Sequence, residues 1–136
     1  MRIAFDLDGT LVPMHPGQFP VERLPWPLRA IAVDPLREGA PALIRRLIAE
    51  RHDIWVYTSS LRSHVSIRRT FFAHGLRLGG IVNGHAHAAL ANASRVSKYP
   101  PAFGIDLLID DAEGVEIEGR IRGFVVHRVA ADDLRW

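Results

Sequence analysis

Residues 5–12 read FDLDGTLV, directly after Arg2, Ile3 and Ala4. RIAFD (2–6) is a short apolar run of the kind that forms a buried strand, and it closes on a carboxylate. In an extended segment residues i and i+2 point the same way, so Asp6 and Asp8 face one space while Leu7 turns toward the core. Gly9 then lets the backbone turn sharply. A strand of this kind delivers two acid groups to its carboxyl end.

Four further runs carry a strand signal: DIWVY (53–57), GGIV (79–82), IDLLI (105–109) and GFVVHRV (123–129). Helical patterns lie between them. Leu43, Ile44, Leu47 and Ile48 recur at helical spacing up to Arg51, with Pro41 at an early helical position. A second helix is expected from Leu61 to His74, with Ser60 as its N-cap and Gly75 as its stop. The Ala-rich stretch 85–93 reads as a short helix, and Pro100-Pro101 breaks the chain after it. Continuously apolar strands alternating with helices argue for a parallel sheet covered on both faces. The expected fold is α/β: a Rossmann-like three-layer α/β/α sandwich around a parallel sheet of about five strands.

Prolines 13, 16, 20, 25 and 27 exclude a regular helix from residues 13–27. The whole stretch 13–33 therefore reads as a proline-rich flap, and loops of this length in a compact domain tend to be lids or binding loops. Phe19 and Trp26 within it are candidates for contacting substrate. Trp55, Phe71 and Phe72 read as core.

A chain of 136 residues fits one domain, 1–136. It has no Cys, which excludes disulfides, a thiolate metal site and a Cys nucleophile. Residues 1–15 lack the series of a signal peptide and no apolar run has the length of a bilayer span, so a cytoplasmic protein is expected. A formal charge of +2 and a pI near 9.7 are too mild to mark a dedicated nucleic-acid binder. The basic residues are nearly all Arg, and Lys98 is the single Lys. A position that keeps Lys amid such a bias needs a compact, mobile ammonium in place of a planar fork.

In an open parallel sheet the ligand site lies outside the carboxyl ends of the strands, where strand order reverses. The first strand ends at Asp6 and Asp8, the second at Thr58 and Ser59, the fourth at Asp110 and Asp111. Carboxylates converging on one crevice repel one another unless some are protonated or a cation sits between them. Mg²⁺, a hard ion that binds one or two carboxylates together with phosphate oxygen, answers that need and carries the reading to phosphate. Asp6 then serves as the nucleophile, Asp8 as general acid and base, Thr58 as a donor to a phosphoryl oxygen and Lys98 as a charge shield.

DLDGT after the first strand, YTSS after the second, an upstream Lys and LLIDD after the fourth together resemble the four motifs of the haloacid dehalogenase superfamily, most of whose members are phosphatases. The likeness runs in order from Asp6 to Asp111. It implies Asp6 as nucleophile and metal ligand and Asp8 as acid/base with its backbone carbonyl on Mg²⁺. It also implies Thr58 as phosphate binder, Lys98 as charge clamp and Asp111 as the direct third metal ligand with Asp110 in support. Ser59 and Arg62 complete the expected phosphate-binding set. A carboxylate at the second position favours a phosphatase over the dehalogenase branch. Lys98 stands only twelve residues before Asp110, shorter than in many members and similar to the deoxyribonucleotidase branch. The intervals between motifs leave no room for a cap domain. An open crevice suits a macromolecular or extended substrate or a neighbouring subunit that closes the site; alternatively the flap closes over a small phosphate ester.

The expected activity is a Mg²⁺-dependent phosphomonoesterase, with a nucleotidase or polynucleotide-end phosphatase as the alternative within that class. A receiver-like signalling domain is disfavoured, because its phosphate-accepting Asp ends a middle strand and none follows GGIV. A non-catalytic phosphate binder is disfavoured because no carboxylate is missing. Plainer roles remain for single residues: Thr58 and Ser59 as helix caps, Asp110 and Asp111 as turn caps, Lys98 as a surface residue and Arg62 on a solvated basic helix face. His85 and His87 lack a third ligand at suitable spacing and read as a polar helix start.

Overall fold

The computed structural model describes residues 1–133 and contains one five-stranded, wholly parallel sheet. Its strands are β1 (Arg2–Phe5), β2 (Asp53–Tyr57), β3 (Gly80–Val82), β4 (Leu107–Asp110) and β5 (Val126–Arg128), in the order β3-β2-β1-β4-β5. β1 pairs with β2 from Arg2↔Asp53 to Phe5↔Val56 and with β4 from Ile3↔Leu107 to Phe5↔Ile109. The chain fills one side of β1 before crossing to the other, so strand order reverses between β1 and β4. This is the switch point of a Rossmann-like α/β fold, as the alternating pattern implied.

The period-2 alternation of the strands divides the core into two layers. Ile3, Phe5, Ile54, Val56, Ile81 and Ile109 face one side. There they meet Ala40 and Ile44 of α2 (Ala40–Ala49) and Ile67 and Phe71 of α3 (His64–Ala73). Ala4, Tyr57, Val82 and Leu108 face the other, against Val115 of α5 (Glu113–Arg122). A short helix α1 (Leu28–Ile31) lies within the proline-rich segment and α4 (Gly84–Ala88) follows β3. No helix among the described residues is long and apolar enough to cross a membrane.

Several boundaries differ from the sequence reading for local reasons. α3 starts at His64, not Leu61, and its N-cap is Ser63, whose hydroxyl accepts the Ser66 N–H. Ser60 instead accepts the Arg62 backbone N–H, so residues 60–62 form a turn ahead of the helix. Arg62 therefore lies before the helix rather than on its basic face. Phe72 is 67 % exposed, because the buried stripe of α3 runs through Ile67, Thr70 and Phe71 and leaves its neighbour on the solvent side. Phe19 is buried beneath the Arg37 guanidinium, whose carbon sits 4.6 Å from the ring centre. An aromatic of the flap thus has a core to join, while Trp26 stays 74 % exposed. Trp55 is half-buried and donates its indole N–H to Asp53.

Candidate functional site

Immediately after β1 the Leu7 carbonyl accepts the N–H groups of Thr10, Leu11 and Val12, which folds residues 7–12 into a tight turn. Gly9 adopts φ +88°, a conformation that L side chains rarely adopt, and a Cβ there would collide with the Asp111 carboxylate. Leu7 and Leu11 are buried on either side of the turn. Each contributes roughly 1.5–3 kcal/mol of burial, which holds the acid-bearing turn in place against the repulsion of its charges.

The turn opens on a cavity of about 370 Å³ lined by Asp6, Asp8, Thr58, Ser59, Lys98, Asp110 and Asp111, with Met14 at its edge. Seven of the eight residues singled out in the sequence thus share one cleft at the carboxyl ends of β1, β2 and β4. Lys98 is buried, and its ammonium donates to Asp6 at 2.6 Å and to Asp110 at 2.5 Å. This rules out the surface-lysine reading. Asp110 also accepts the Ala112 N–H at 2.9 Å, a turn-capping bond made in addition to the one from Lys98. Thr58 is buried and its hydroxyl oxygen accepts the Ser60 N–H at 3.1 Å, leaving the hydroxyl proton for an incoming acceptor. Ser59 is exposed at the rim.

Arg62 does not line the cavity. Its guanidinium grips Asp8 from outside through two bonds, at 2.8 and 3.0 Å, and a third bond at 3.0 Å joins it to Asp34. The bond to Asp8 is the main cause that raises the Arg62 pKa above its ordinary value, against the opposing effect of burial.

Oxygens of Asp6, Asp110 and Asp111 lie within 4.8 Å of one another. The Lys98 ammonium stands between two of these carboxylates, while Asp111 feels the Arg37 charge and accepts the Thr10 hydroxyl at 3.1 Å. The Asp6 carboxyl shows the strain of this arrangement: burial, aided by the Asp110 charge and opposed by Lys98, raises its pKa from 3.8 to about 6. Burial works against the Lys98 charge, but the two carboxylates outweigh it and hold its pKa above the ordinary value. An all-oxygen, net-negative donor set of this kind fits a hard divalent cation.

Thr10 and Asp34 escaped the sequence reading. Thr10 carried a signal, since its place in DGT puts its hydroxyl inside the turn. Asp34 carried none, because it reaches Arg62 across 28 positions of chain. The two histidines separate: His85 is exposed, while His87 is half-buried with both ring nitrogens engaged by Tyr57 and Val96.

No family model matches the chain, and no curated protein matches it. Solved structures share its fold, the following two among them. A chain of a Pnkp1/Rnl/Hen1 complex aligns over 98 % of this sequence with a TM-score of 0.59 and 13 % identity. A chain of a Pnkp1/Rnl/Hen1 RNA repair complex aligns over 95 % with a TM-score of 0.57 and 14 % identity. This sequence covers 47 % and 42 % of those chains, so it spans less than half the length of either. At this level of identity the likeness is one of fold.

Proposed function

We propose that the protein is a Mg²⁺-dependent phosphomonoester hydrolase of the haloacid dehalogenase type, working through an aspartyl-phosphate on Asp6. The observation that carries this reading is the placement of Asp6. Its carboxylate stands at a strand end, one oxygen on the Lys98 ammonium, beside Asp110 and Asp111 and across the cleft from Thr58. A solvated turn has no use for a buried carboxylate that shares its ammonium with a second buried carboxylate.

Asp6, Asp111 and the Asp8 backbone carbonyl would hold the cation, with Asp110 in support. When bound, Mg²⁺ supplies Lewis-acid neutralisation of the phosphoryl oxygens. Thr58 and Ser59 donate hydrogen bonds to those oxygens, and Lys98 offsets the charge of the nucleophile as the anion approaches. In the first step an Asp6 oxygen attacks phosphorus, the bond from phosphorus to the ester oxygen breaks, and Asp8 gives its proton to that leaving oxygen. In the second, Asp8 takes a proton from water, the water oxygen attacks phosphorus, and the bond to Asp6 breaks to release phosphate. The proton that Asp8 gives in the first step it regains in the second.

The alternative within the same chemistry is a polynucleotide-end phosphatase. It is supported by the shared fold with chains of RNA repair assemblies and by a cleft that is open at its rim. Phosphate release from nucleotides, sugar phosphates, phosphopeptides and 3′- or 5′-phosphorylated oligonucleotides, with Mg²⁺ or EDTA, tests both readings. Turnover that needs Mg²⁺ and disappears in Asp6→Asn is the expected result, and preference for an oligonucleotide end selects the alternative. Turnover that persists in EDTA or in Asp6→Asn overturns the proposal.

A further inference from the structure

The segment that carries Lys98 has no regular structure of its own between the 3₁₀ turns Ala93–Arg95 and Pro100–Phe103. Yet it keeps a buried ammonium between Asp6 and Asp110. Its fastening comes from outside. His87 Nε2 lies 3.0 Å from the Val96 carbonyl, two residues before Lys98. The Tyr99 N–H, one residue after Lys98, donates to the Tyr57 hydroxyl at 2.9 Å. The Tyr57 hydroxyl in turn lies 2.7 Å from His87 Nδ1, which closes the circuit.

Two of the bond directions in this circuit follow from the chemistry of their ends, at Val96 and at Tyr99, and the direction between Tyr57 and His87 is the one a neutral imidazole dictates. A carbonyl only accepts, so Nε2 carries the ring proton, and Nδ1 of the neutral imidazole is then an acceptor. Tyr57 donates its hydroxyl proton to Nδ1, and its oxygen accepts from Tyr99. All donors and acceptors in the circuit are used. Tyr57 is fully buried at the end of β2, and burial, aided by the Glu118 charge and opposed by the Tyr99 N–H, pushes its phenol up to about 12. It therefore remains a hydroxyl, the form the circuit requires. The neighbouring bonds from Ser97 to Glu118 are exposed, where water can replace them. The buried circuit is where loss of a partner leaves groups unsatisfied.

We infer that His87, in its Nε2–H tautomer and acting through Tyr57, is a positioning residue for Lys98. It pins the chain on both sides of that residue, at Val96 and Tyr99, and so sets where the ammonium stands relative to Asp6 and Asp110. The consequence for turnover rests on the phosphatase reading, and the positioning itself does not.

Lys98 is the only lysine, so ¹⁵N-lysine labelling gives one side-chain ammonium resonance. In the intact protein this resonance is expected to be narrow and dependent on Asp110. His87→Ala is expected to shift and broaden it, and His87→Gln, which restores one donor and one acceptor, to bring it back toward the original position. Tyr57→Phe keeps the ring and removes the hydroxyl, and carries the same test if His87→Ala does not fold. An unchanged Lys98 resonance in folded His87→Ala or Tyr57→Phe protein overturns the inference. With an active substrate in hand, His87→Ala should lower kcat roughly 10- to 100-fold through misplacement of the ammonium. In a Lys98→Met background the same change should have no further effect, and additive losses contradict action through Lys98. Where the unaltered protein hydrolyses no phosphomonoester, the failure belongs to the phosphatase reading and the ammonium resonance alone decides the positioning.

Discussion

Arg62 donates two hydrogen bonds to the Asp8 carboxylate, Nη1 to Oδ2 at 2.8 Å and Nη2 to Oδ1 at 3.0 Å, from a position 54 residues along the chain. The same guanidinium is held by Asp34, which descends from the proline-rich segment. That segment is itself tied to α3, since the N–H groups of Val33 and Asp34 both donate to the Thr70 hydroxyl. Asp8 thus takes its orientation from a guanidinium whose own orientation is set by a loop. The sequence offered Arg62 as a contact to an anionic substrate or as part of a solvated basic face; its two bonds to Asp8 favour a role in orienting that carboxylate, the proposed acid/base.

This distinction has a kinetic signature. If Arg62 orients Asp8, Arg62→Ala lowers kcat roughly 10- to 100-fold and leaves KM within about threefold, because the loss falls on the transition state. If Arg62 binds substrate, KM rises and kcat holds. Arg62→Lys should fail to rescue, since an ammonium cannot make the bidentate contact. Asp34→Asn should reproduce a weaker form of the Arg62→Ala defect.

Asp6→Asn is expected to abolish turnover and to raise the melting temperature of the metal-free protein. The folded state raises the Asp6 pKa from 3.8 to about 6, so it favours the protonated carboxyl. The stability this group contributes is fully present below pH 3.8 and is lost as pH rises through about 6. The advantage of Asp6→Asn in EDTA should therefore be largest at about pH 7.5 and shrink on acidification. Thermal melts of both proteins across this range check it; equal melting temperatures at neutral pH contradict it.

Gly9→Ala places a methyl group against the Asp111 carboxylate at a backbone φ of +88°. The strain should destabilise the protein by roughly 1–3 kcal/mol in urea unfolding. Displacement of Asp111 should also weaken Mg²⁺ binding, measured by titration calorimetry on protein that remains folded. Unaltered Mg²⁺ affinity would remove Asp111 from the ligand set.

Two aromatics of the same loop should part company on mutation. Phe19→Ala removes a buried ring stacked under Arg37 and is expected to cost roughly 3–5 kcal/mol. Trp26→Ala removes a ring that is 74 % exposed, and should change stability by no more than about 0.5 kcal/mol. Urea denaturation of both variants measures the difference, and a Trp26 effect on KM without one on stability would mark that ring as a substrate contact.

β1 to β4 were legible in the sequence because largely buried strands are continuously apolar, and because each site-bearing strand ends in acid or hydroxyl groups; β5 is shorter and more exposed than its apolar run suggests. The convergence of Asp6, Asp8, Thr58, Ser59, Asp110 and Asp111 on one cleft follows from that pattern and from the switch point, whereas Lys98 joins them from a loop between two 3₁₀ turns. Contacts that span long stretches of chain left no local trace. Arg62 reaches Asp8 and Asp34, and His87 reaches Tyr57 and Val96, through bonds that depend on which loops the sheet brings together. The choice between Ser60 and Ser63 as cap is of the same kind. Both residues suit the role, and the Ser60 hydroxyl is drawn away by the Arg62 side chain at 3.0 Å. Burial of Phe19 likewise required a partner, Arg37, that periodicity does not reveal.

Acceptance of a phosphoryl group by the Asp6 carboxylate can be tested before any substrate is known. Beryllofluoride forms a tetrahedral adduct on a phosphate-accepting carboxylate, and ¹⁹F NMR reads it directly. A bound resonance is expected that requires Mg²⁺, disappears on addition of EDTA and is absent in Asp6→Asn. A folded, Mg²⁺-loaded protein that gives no bound resonance, or one whose resonance survives in Asp6→Asn, would contradict it.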